Sequence, residues 1–407
     1  MGYMHRFIYV IDGTISIFQH KILSEYNIHI LRILFPSLSK AQGLLIDLDL
    51  SKNEVKQIRK STFHGLEKLE YLNLSNNKIE EIEDLAFEQL CELQELYLNN
   101  NRIKKLGDKS LHGLGALTIL NLAKNVLSEI PTQALRRMRR NDGSDYQSLI
   151  ELNLSGNNIT KIKDESFKFT NKIEILDLRE NPGKLSENSF QNLSYLSILD
   201  ISDMNVSVIP DRLFYHISSV RELRFDKNKI EQINEDTFAG LKQLQTLSIS
   251  WNPKLREIDS KAFQQNQNLS KIEISHNKAL SDLPKKLFNN LPKLKYLDLR
   301  DNHLSHVELP EKQSWQNIFL SNNPWSCDCD LMSVYLVTKN ISCGKPSGIS
   351  FSRVNMDLCE LKENILKYKV RVGYGIFGTF YNRKVYQTRT IMYAATPDSH
   401  VLGTIFF

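Results

Sequence analysis

One motif, Leu-x-x-Leu-x-Leu-x-x-Asn-x-(Leu/Ile/Val), recurs through most of this chain and constrains its fold more than any other feature. Its clearest copies start at Leu45, Leu69 and Leu93, which are 24 residues apart. Because one short repeat cannot bury its own apolar side, consecutive copies must stack on one another. The twelve copies carry at the Asn position, in order, Asn53, Asn77, Asn101, Asn125, Asn157, Asn181, Met204, Asn228, Asn252, Asn277, Asn302 and Asn323.

Each position of the motif has a physical role. Alternating Leu-x-Leu predicts a short strand with one buried face, so stacked copies form a parallel sheet. The Asn comes where the chain leaves the strand, and its amide can both donate to and accept from buried backbone groups. A recurring Phe fills the space between the strand and the returning segment. It occurs at Phe63, Phe87, Phe167, Phe190, Phe214, Phe238, Phe263 and Phe288.

The pattern resembles the extracellular type of leucine-rich-repeat protein, the group that includes Toll-like receptors, Slit-like guidance proteins and many insect surface proteins. The resemblance covers the chain from about Leu44 to Leu361. It implies an α/β fold class, a right-handed leucine-rich-repeat solenoid or horseshoe with a parallel β-sheet on its concave face. It also implies a disulfide-bonded C-terminal cap.

Four segments follow from this pattern. Residues 1–43 are an N-terminal segment, either a degenerate repeat or a faulty leader, and residues 44–323 are the solenoid of about twelve units. Residues 324–361 form the cysteine cap, and residues 362–407 are an unassigned tail. An open solenoid end exposes apolar core, which is why a cap is needed.

The cap is predicted from four clustered cysteines, Cys327, Cys329, Cys343 and Cys359, whereas Cys91 stands alone. Four cysteines allow three disulfide pairings, and a zinc site is the alternative. Cys-x-Cys followed by two distant cysteines suits a tetrahedral zinc site poorly, so disulfides are favoured. The family resemblance implies the pairs Cys327–Cys343 and Cys329–Cys359. Disulfides indicate an oxidising compartment.

Localisation is therefore predicted as extracellular or cell-surface, although the leader is poor. Arg6 precedes an apolar run that Asp12 interrupts, and no clear cleavage site follows. An intracellular scaffold with the same solenoid is the alternative. Asn-x-Ser/Thr sequons, which are N-glycosylation acceptors, support passage through the secretory pathway. Glycans at Asn73 and Asn153 would project from the sheet face. The sequons are at Asn73, Asn153, Asn158, Asn192, Asn205, Asn268 and Asn340.

Two irregularities interrupt the repeat pattern. About eight residues are inserted around 136–145, where Arg137-Met138-Arg139-Arg140 is either a furin-type processing site or a solvated basic helix end. Met204 replaces the Asn of the seventh unit, which either loosens that turn or shifts its role to Asn205. Residues 1–43 contain a further candidate strand around Ile15 and Ile17.

No catalytic constellation is visible, and neither a cofactor nor a metal is predicted. Gly373, Gly375 and Gly378 fit a Gly-x-Gly-x-x-Gly phosphate loop, but Thr379-Phe380-Tyr381 reads as strand where a dinucleotide site needs a helix. A nucleotide-using enzyme is thus the third hypothesis. The net charge of +5 does not call for nucleic acid, and no apolar stretch is long enough to span a membrane.

The favoured function is protein recognition on the concave face, with a protein or microbial surface ligand and with a homo- or hetero-dimer left open. Solenoid sheets present an extended surface whose non-Leu positions are free to vary. Units six to eight carry more acids than bases there, which predicts a partner with a mixed or basic patch. Trp251 precedes Asn252 where no core position exists, so it is either a contact residue or packs on a neighbouring unit. The predicted ligand-binding residues are Tyr97, Ile175, Asp177, Arg179, Ile198, Asp200, Glu222, Arg224, Trp251 and Tyr296.

Overall fold

The computed structural model describes residues 7–11, 14–18, 45–138, 148–310, 313–326, 331 and 333–334, the first two ranges by their backbone alone. The chain divides into two compact units, residues 1–354 and 355–407, and every described residue belongs to the first. The predicted cap cysteines, Asn340 and the glycine-rich tail lie outside the described residues, so the disulfide pairing stays a prediction.

The described part contains eighteen strands, the short helix α1 (Thr132–Arg136) and two further α-helical residues at 333–334. The strands are β1 (Phe7–Ile11), β2 (Thr14–Phe18), β3 (Asp47–Asp49), β4 (Gln57–Ile58), β5 (Tyr71–Asn73), β6 (Glu81–Ile82), β7 (Glu95–Tyr97), β8 (Ile119–Asn121), β9 (Glu151–Asn153), β10 (Ile175–Asp177), β11 (Ile198–Asp200), β12 (Glu222–Arg224), β13 (Gln232–Ile233), β14 (Thr246–Ser248), β15 (Glu257–Ile258), β16 (Lys271–Glu273), β17 (Tyr296–Asp298) and β18 (Asn317–Phe319).

Fourteen of these strands form one sheet in the order β1-β2-β3-β5-β7-β8-β9-β10-β11-β12-β14-β16-β17-β18. The twelve strands from β3 to β18 in that order are the twelve repeat units, one strand per unit, and all their pairings are parallel. In the returning segments, β4 pairs with β6 and β13 with β15. The predicted parallel solenoid is confirmed.

The sheet begins with a hairpin that the repeat pattern does not contain. β1 and β2 pair antiparallel, and β2 continues parallel to β3, with Ile15 opposite Leu48. Ile15 and Ile17 therefore do lie on a strand. Whether residues 1–43 as a whole are a degenerate repeat stays a prediction.

Burial along each strand follows the Leu-x-Leu alternation. The middle residue of β5, Leu72, is fully buried, whereas Tyr71 and Asn73 on either side are half-buried. The register pairs equal positions of neighbouring units, so Leu72 lies opposite Leu96. Each three-residue strand of the repeats thus turns its middle leucine or isoleucine inward and its other two side chains toward the open face.

Behind the sheet, the recurring phenylalanines stack along the solenoid. Ring centroids are 5.7 Å apart for Phe63 and Phe87, 6.0 Å for Phe214 and Phe238, and 6.1 Å for Phe238 and Phe263. All five rings are buried. Stacking at this spacing joins each unit to the next through large apolar contacts.

From the second unit on, the asparagine of the motif links its own unit to the preceding one. In the second unit, the Asn77 Nδ2 donates to the carbonyl oxygens of Leu50 (2.9 Å) and Leu74 (3.0 Å). Its Oδ1 accepts from the backbone N–H of Val55 at 3.1 Å. The predicted role of the amide, donor and acceptor for otherwise buried backbone groups, is confirmed here. Among the described residues, Asn252 Oδ1 and Asn277 Nδ2 depart from it, because both are buried without a hydrogen-bond partner.

At Met204, which stands where the other units have the motif asparagine, the asparagine of the next unit supplies an additional hydrogen bond. The Oδ1 of Asn228 accepts from the backbone N–H groups of both Met204 (3.1 Å) and Val206 (3.0 Å). Met204 itself is buried, and its methyl group occupies space beside Gly183, where a Cβ would lie 2.9 Å from Met204 Cε. Asn205 is exposed with a φ of 61°, so the alternative in which Asn205 takes over the ladder position is wrong.

The insertion after the fourth unit begins with α1. Arg137 follows the helix as its C-cap, and Met138 is buried with 3% exposure. Residues 139–147 lie outside the described part of the chain. Arg137 is therefore exposed at the end of a helix, which agrees with the basic-helix-end interpretation for this residue.

Candidate recognition surface

The open face of the sheet, here called the concave face, consists of the outward side chains of the twelve parallel strands and the residues just after them. The last strand residue often also has a structural role. Asp49, Asp177 and Asp200 each accept the backbone N–H of the residue two positions on, at 2.8, 3.1 and 3.0 Å. Asp and Asn suit this position because their short side chains satisfy a nearby N–H as the strand ends.

Five predicted contact residues form two adjoining ion-pair groups, which together we call the central charge network. Arg179 Nε lies 3.3 Å from Asp177 Oδ2, and Arg179 Nη1 lies 3.8 Å from Asp200 Oδ2 on the next strand. On the strand after that, Arg224 Nε donates to Glu222 Oε1 at 2.7 Å. The two arginines are about half-exposed, at 46% and 50% of their side chains, whereas Asp200 is 6% exposed as a residue. Arg179, Glu222 and Arg224 therefore present the accessible charge.

Burial also changes the acidity of two carboxyl groups here. Desolvation raises the pKa of Asp177 to about 6, and the N–H and guanidinium of Arg179 oppose that shift. Desolvation likewise raises the pKa of Asp226, whose Oδ1 accepts from the Ser248 hydroxyl and the Ser250 N–H, both at 2.6 Å. Asp177 thus gains its negative charge near pH 6, and Asp226 gains its charge at a higher pH than an ordinary aspartate.

The raised pKa of Asp177 predicts a pH-dependent stability. A carboxyl whose pKa is higher in the folded state stabilises the fold below its unfolded value and loses that contribution as pH rises through about 6. We expect Asp177→Asn to raise the free energy of unfolding at pH 8 by about 2 kcal/mol relative to the native chain. At pH 4 the difference should be close to zero. Urea unfolding at both pH values measures it.

Asn is the matched replacement because Asn121 and Asn153 hold the same strand position and accept the same N–H two residues on. Asp49→Asn is the control, since Asp49 makes that hydrogen bond outside the central charge network. If Asp177→Asn changes the free energy of unfolding equally at pH 4 and pH 8, the Asp177 carboxyl does not titrate between these pH values and the prediction is wrong.

Apolar side chains adjoin the network. Ile175 and Ile198 are directly opposite each other in the parallel register, and both are half-buried. They precede Asp177 and Asp200 on the same strands, so the apolar pair lies beside the charges. A half-buried aliphatic pair rimmed by ionic groups is typical of the centre of a protein contact.

Aromatic pairs occupy two distant parts of the concave face. Near the N-terminal end, Tyr71 and Tyr97 have ring centroids 5.4 Å apart, and the Tyr97 hydroxyl donates to Glu95 at 2.9 Å. Burial, followed by the Glu95 contact, raises the pKa of Tyr97. Tyr97 lies eight strands from Tyr296, or roughly 40 Å at the usual strand spacing, so the two belong to separate contact regions.

The second aromatic pair is covered by cations. Tyr296 and Phe319 have centroids 5.5 Å apart, with Lys271 Nζ 4.8 Å above Tyr296 and Arg300 Cζ 4.8 Å above Phe319. Arg300 also donates to Asp298 at 2.7 Å. These rings are thus already occupied by the chain's own cations.

Trp251 packs on a neighbouring unit, as one of the two interpretations of the sequence expected, and its role as a contact residue stays a prediction. It is 52% exposed, and its ring also stacks on His276 of the next unit, with centroids 3.9 Å apart and planes at 12°. His276 Nε2 in turn lies 3.3 Å from Asp301 Oδ2 in the unit after that. No sequence prediction connected these three residues. Each of them directly precedes a motif Asn, and that shared position was the available signal.

The sequons differ in accessibility. Asn158, Asn192 and Asn205 are exposed, and Asn73 and Asn153 are half-buried on the sheet face with their Oδ1 atoms accepting backbone N–H groups. Asn268 is half-buried, and its Nδ2 donates to the Lys242 carbonyl at 3.0 Å. Because that nitrogen is the atom a glycan would modify, Asn268 is the least suited of the described sequons.

The described ranges contain no group of three or more His, Cys, Asp or Glu side chains placed to hold a metal ion. Within the same ranges, no helix has the length and apolar character needed to cross a bilayer. Cys91 is a free, half-buried thiol in the described part of the chain.

Comparison with known proteins identifies the repeat. A family model described as "Leucine rich repeat" matches residues 44–103, 91–140, 147–205, 194–253, 254–304 and 267–323. Rabbit (Oryctolagus cuniculus) decorin is 38% identical over 109 residues, which is 26% of this chain and 29% of decorin. The chain therefore matches less than a third of the length of that relative.

Solved structures agree on the fold. TLR13, solved in a complex with ssRNA13, superposes with a TM-score of 0.54 at 23% identity, covering 76% of this chain and 53% of TLR13. The Drosophila Toll–Spatzle complex, in its glycosylated form, gives a TM-score of 0.55 at 20% identity, covering 77% of this chain and 55% of the matched chain. At these identities the likeness establishes the architecture.

Proposed function

The chain belongs to the leucine-rich-repeat family, and we propose that it is a non-enzymatic recognition protein that binds a protein ligand on its concave face. The observation that carries this proposal is the central charge network together with the adjoining Ile175 and Ile198. Accessible ionic groups around a half-buried aliphatic pair offer both orientation and apolar contact to a partner.

Charge favours a protein ligand over nucleic acid. In units six to eight, six acids accompany three bases at the outward positions: Asp177, Glu180, Asp200, Asp203, Glu222 and Asp226 against Arg179, Arg224 and Lys227. A nucleic-acid surface needs an excess of bases to neutralise phosphates. One structural neighbour was solved with RNA and another with the protein Spatzle. The excess of acids on this face supports a protein ligand whose contact surface has a mixed or basic patch.

The test exchanges the charges of one ion pair. In the double variant Glu222→Lys with Arg224→Glu, the intrastrand pair is kept while the surface pattern is reversed, so the fold is preserved. Asp200 is left unchanged because it is buried and accepts the Ser202 N–H. We expect proteins captured by the immobilised native chain from extracellular fluid to bind the variant at least tenfold less.

The matched control exchanges an exposed pair away from the concave face, Glu129→Lys with Lys163→Glu. Its Nζ–Oε2 distance is 2.7 Å, and both side chains are 64% exposed. Captured proteins should be retained by this control. If both exchanges have the same effect on every captured protein, the concave face is not the recognition surface.

We further propose that the protein is extracellular or exposed at the cell surface. The exposed sequons Asn158, Asn192 and Asn205 and the clustered cap cysteines support this placement. The alternative, an intracellular scaffold, predicts an unmodified chain with reactive thiols at Cys327 and Cys329. Disulfides would persist only in an oxidising compartment.

An enzyme that removes N-glycans distinguishes these two placements. We expect the endogenous protein to migrate faster on a gel after treatment, since glycosylation requires passage through the secretory pathway. The triple variant Asn158→Gln, Asn192→Gln, Asn205→Gln should lose most of that shift. An unchanged mobility of the native protein, with thiols that react at the cap, would contradict the extracellular placement.

A further inference from the structure

The residues that precede the motif asparagines, or Met204 in the seventh unit, form a row along the edge of the concave face. From unit six to unit eleven this row, here called the rim row, contains Glu180, Asp203, Lys227, Trp251, His276 and Asp301. All six have a positive φ, between 53° and 60°. Such backbone conformations are uncommon for residues other than Gly and hold each side chain in a defined direction.

Within this row, Trp251 is held in place by a chain of contacts from three later units. Its ring stacks on His276, whose Nε2 lies 3.3 Å from Asp301 Oδ2. The Oδ1 of Asp301 accepts from Asn322 Nδ2 at 2.9 Å. The ring is therefore ordered before a partner arrives, which removes part of the entropic cost of binding.

One face of the Trp251 ring remains open. Because the nearly parallel His276 ring covers the other face, the 52% exposure of Trp251 comes largely from its free face and its edge. Lys227 precedes it in the row and is exposed, yet no cation–π contact joins them among the described residues. This contrasts with Tyr296 and Phe319, which the chain's own cations already cover.

From these observations we propose that the rim row binds an extended, arginine-containing protein segment, with one guanidinium stacked on the free face of Trp251. Planar guanidinium groups stack on aromatic faces, and Trp is the best acceptor of such cation–π contacts. Glu180 and Asp203 lie three and two units before Trp251 and supply pairing groups for further basic residues. This inference rests on the proposed recognition function and names the chemistry of its partner.

The dimensions of the row suit a short peptide. Six units at about 4.8 Å per strand span roughly 24 Å from Glu180 to Asp301. An extended chain advances about 3.3 Å per residue, so seven to eight residues cover the row.

Lys227 repels a cation at this site, and its removal should strengthen binding.

The experiment titrates the full chain with the probe peptide acetyl-(Gly-Arg)4-amide in a calorimeter at low salt. We expect Trp251→Ala to bind this probe at least tenfold more weakly than the native chain, and Lys227→Ala to bind it two- to threefold more tightly. The lysine peptide acetyl-(Gly-Lys)4-amide should bind less tightly than the arginine peptide, because an ammonium group lacks the planar surface that stacks.

Two variants separate a local effect from a damaged fold. Trp251→Phe keeps an aromatic face and again places a non-glycine residue at the positive φ of position 251, so it should retain most of the binding. Tyr215→Ala removes another exposed aromatic, 66% exposed and on the returning segment, and should leave binding unchanged within twofold. Equal binding by Trp251→Ala and the native chain would overturn the proposal, as would no binding of the arginine peptide to the native chain.

Other ligand classes give different results. Comparable binding of acetyl-(Gly-Glu)4-amide would also overturn it. So would binding of the neutral oligosaccharide chitohexaose that is as tight as that of the arginine peptide and is lost in Trp251→Ala. The exchange at Glu222 and Arg224 tests the broader function separately. If that exchange abolishes partner capture while Trp251→Ala leaves peptide binding intact, the recognition function stands and the arginine site fails.

Discussion

Replacing Phe238 with alanine is expected to lower the free energy of unfolding by about 3–5 kcal/mol. Phe238 is fully buried and stacks on both Phe214 and Phe263, at 6.0 and 6.1 Å between centroids. Its loss leaves a cavity at two successive unit interfaces. Because neighbouring units are held by nearest-neighbour contacts, the damage should centre on units seven to nine.

Urea unfolding followed by circular dichroism measures the total loss, and amide hydrogen exchange locates it along the chain. Tyr195→Ala is the matched control, since this aromatic is 61% exposed. It should change stability by less than about 0.5 kcal/mol. A loss under about 1 kcal/mol for Phe238→Ala would mean that the phenylalanine stack does not hold the units together.

The second large effect is expected for Asn228→Ala, with a loss of about 3–4 kcal/mol. Asn228 Oδ1 serves two buried N–H groups, those of Met204 and Val206, while its Nδ2 donates to the Ile201 carbonyl at 3.0 Å and to Asp226 O at 3.1 Å. Removing the amide leaves the two N–H groups and the Ile201 carbonyl without these hydrogen bonds in a site that water does not reach, whereas Asp226 O keeps the Asp203 N–H at 2.8 Å.

The comparison with Asn101→Ala isolates the stability contributed by the hydrogen bond from the Met204 N–H to Asn228. The Asn101 Oδ1 accepts from one backbone N–H, that of Ile79 at 2.9 Å, so its replacement should cost about 1 kcal/mol less. Asn158→Ala, at an exposed position, serves as the control with little expected change. Thermal and urea unfolding measure all three variants. Equal losses for Asn228 and Asn101 would show that the additional hydrogen bond at Met204 carries no stability.

Periodicity explains why the fold could be read from the sequence. A buried leucine such as Leu72 and its neighbour Leu96 recur in register because each unit contacts only the units beside it. The same locality determines the Asn ladder, since Asn77 reaches back to Leu50 of the preceding unit. The hairpin of β1 and β2 lies outside the repeat, and periodicity therefore gave no sign of its antiparallel pairing.

The candidate site was predictable in part. The outward positions follow from alternation along each strand, which is how Arg179, Glu222 and Arg224 were identified. Their accessibility did not follow, because Asp200 occupies the same strand position as Arg224 and yet is buried. Side-chain burial depends on the length and charge of neighbours in adjacent units, which a single repeat does not specify.

The sequence by itself determined the solenoid, the parallel sheet, the asparagine ladder and the face on which contact residues lie, because these depend on local, repeated interactions. The tertiary structure alone decided which side chains of that face meet. The stack of Trp251 on His276, the contact of His276 with Asp301 and the double role of Asn228 each join residues of different units. Their geometry is set by how one unit packs on the next, and packing distances are absent from a linear pattern.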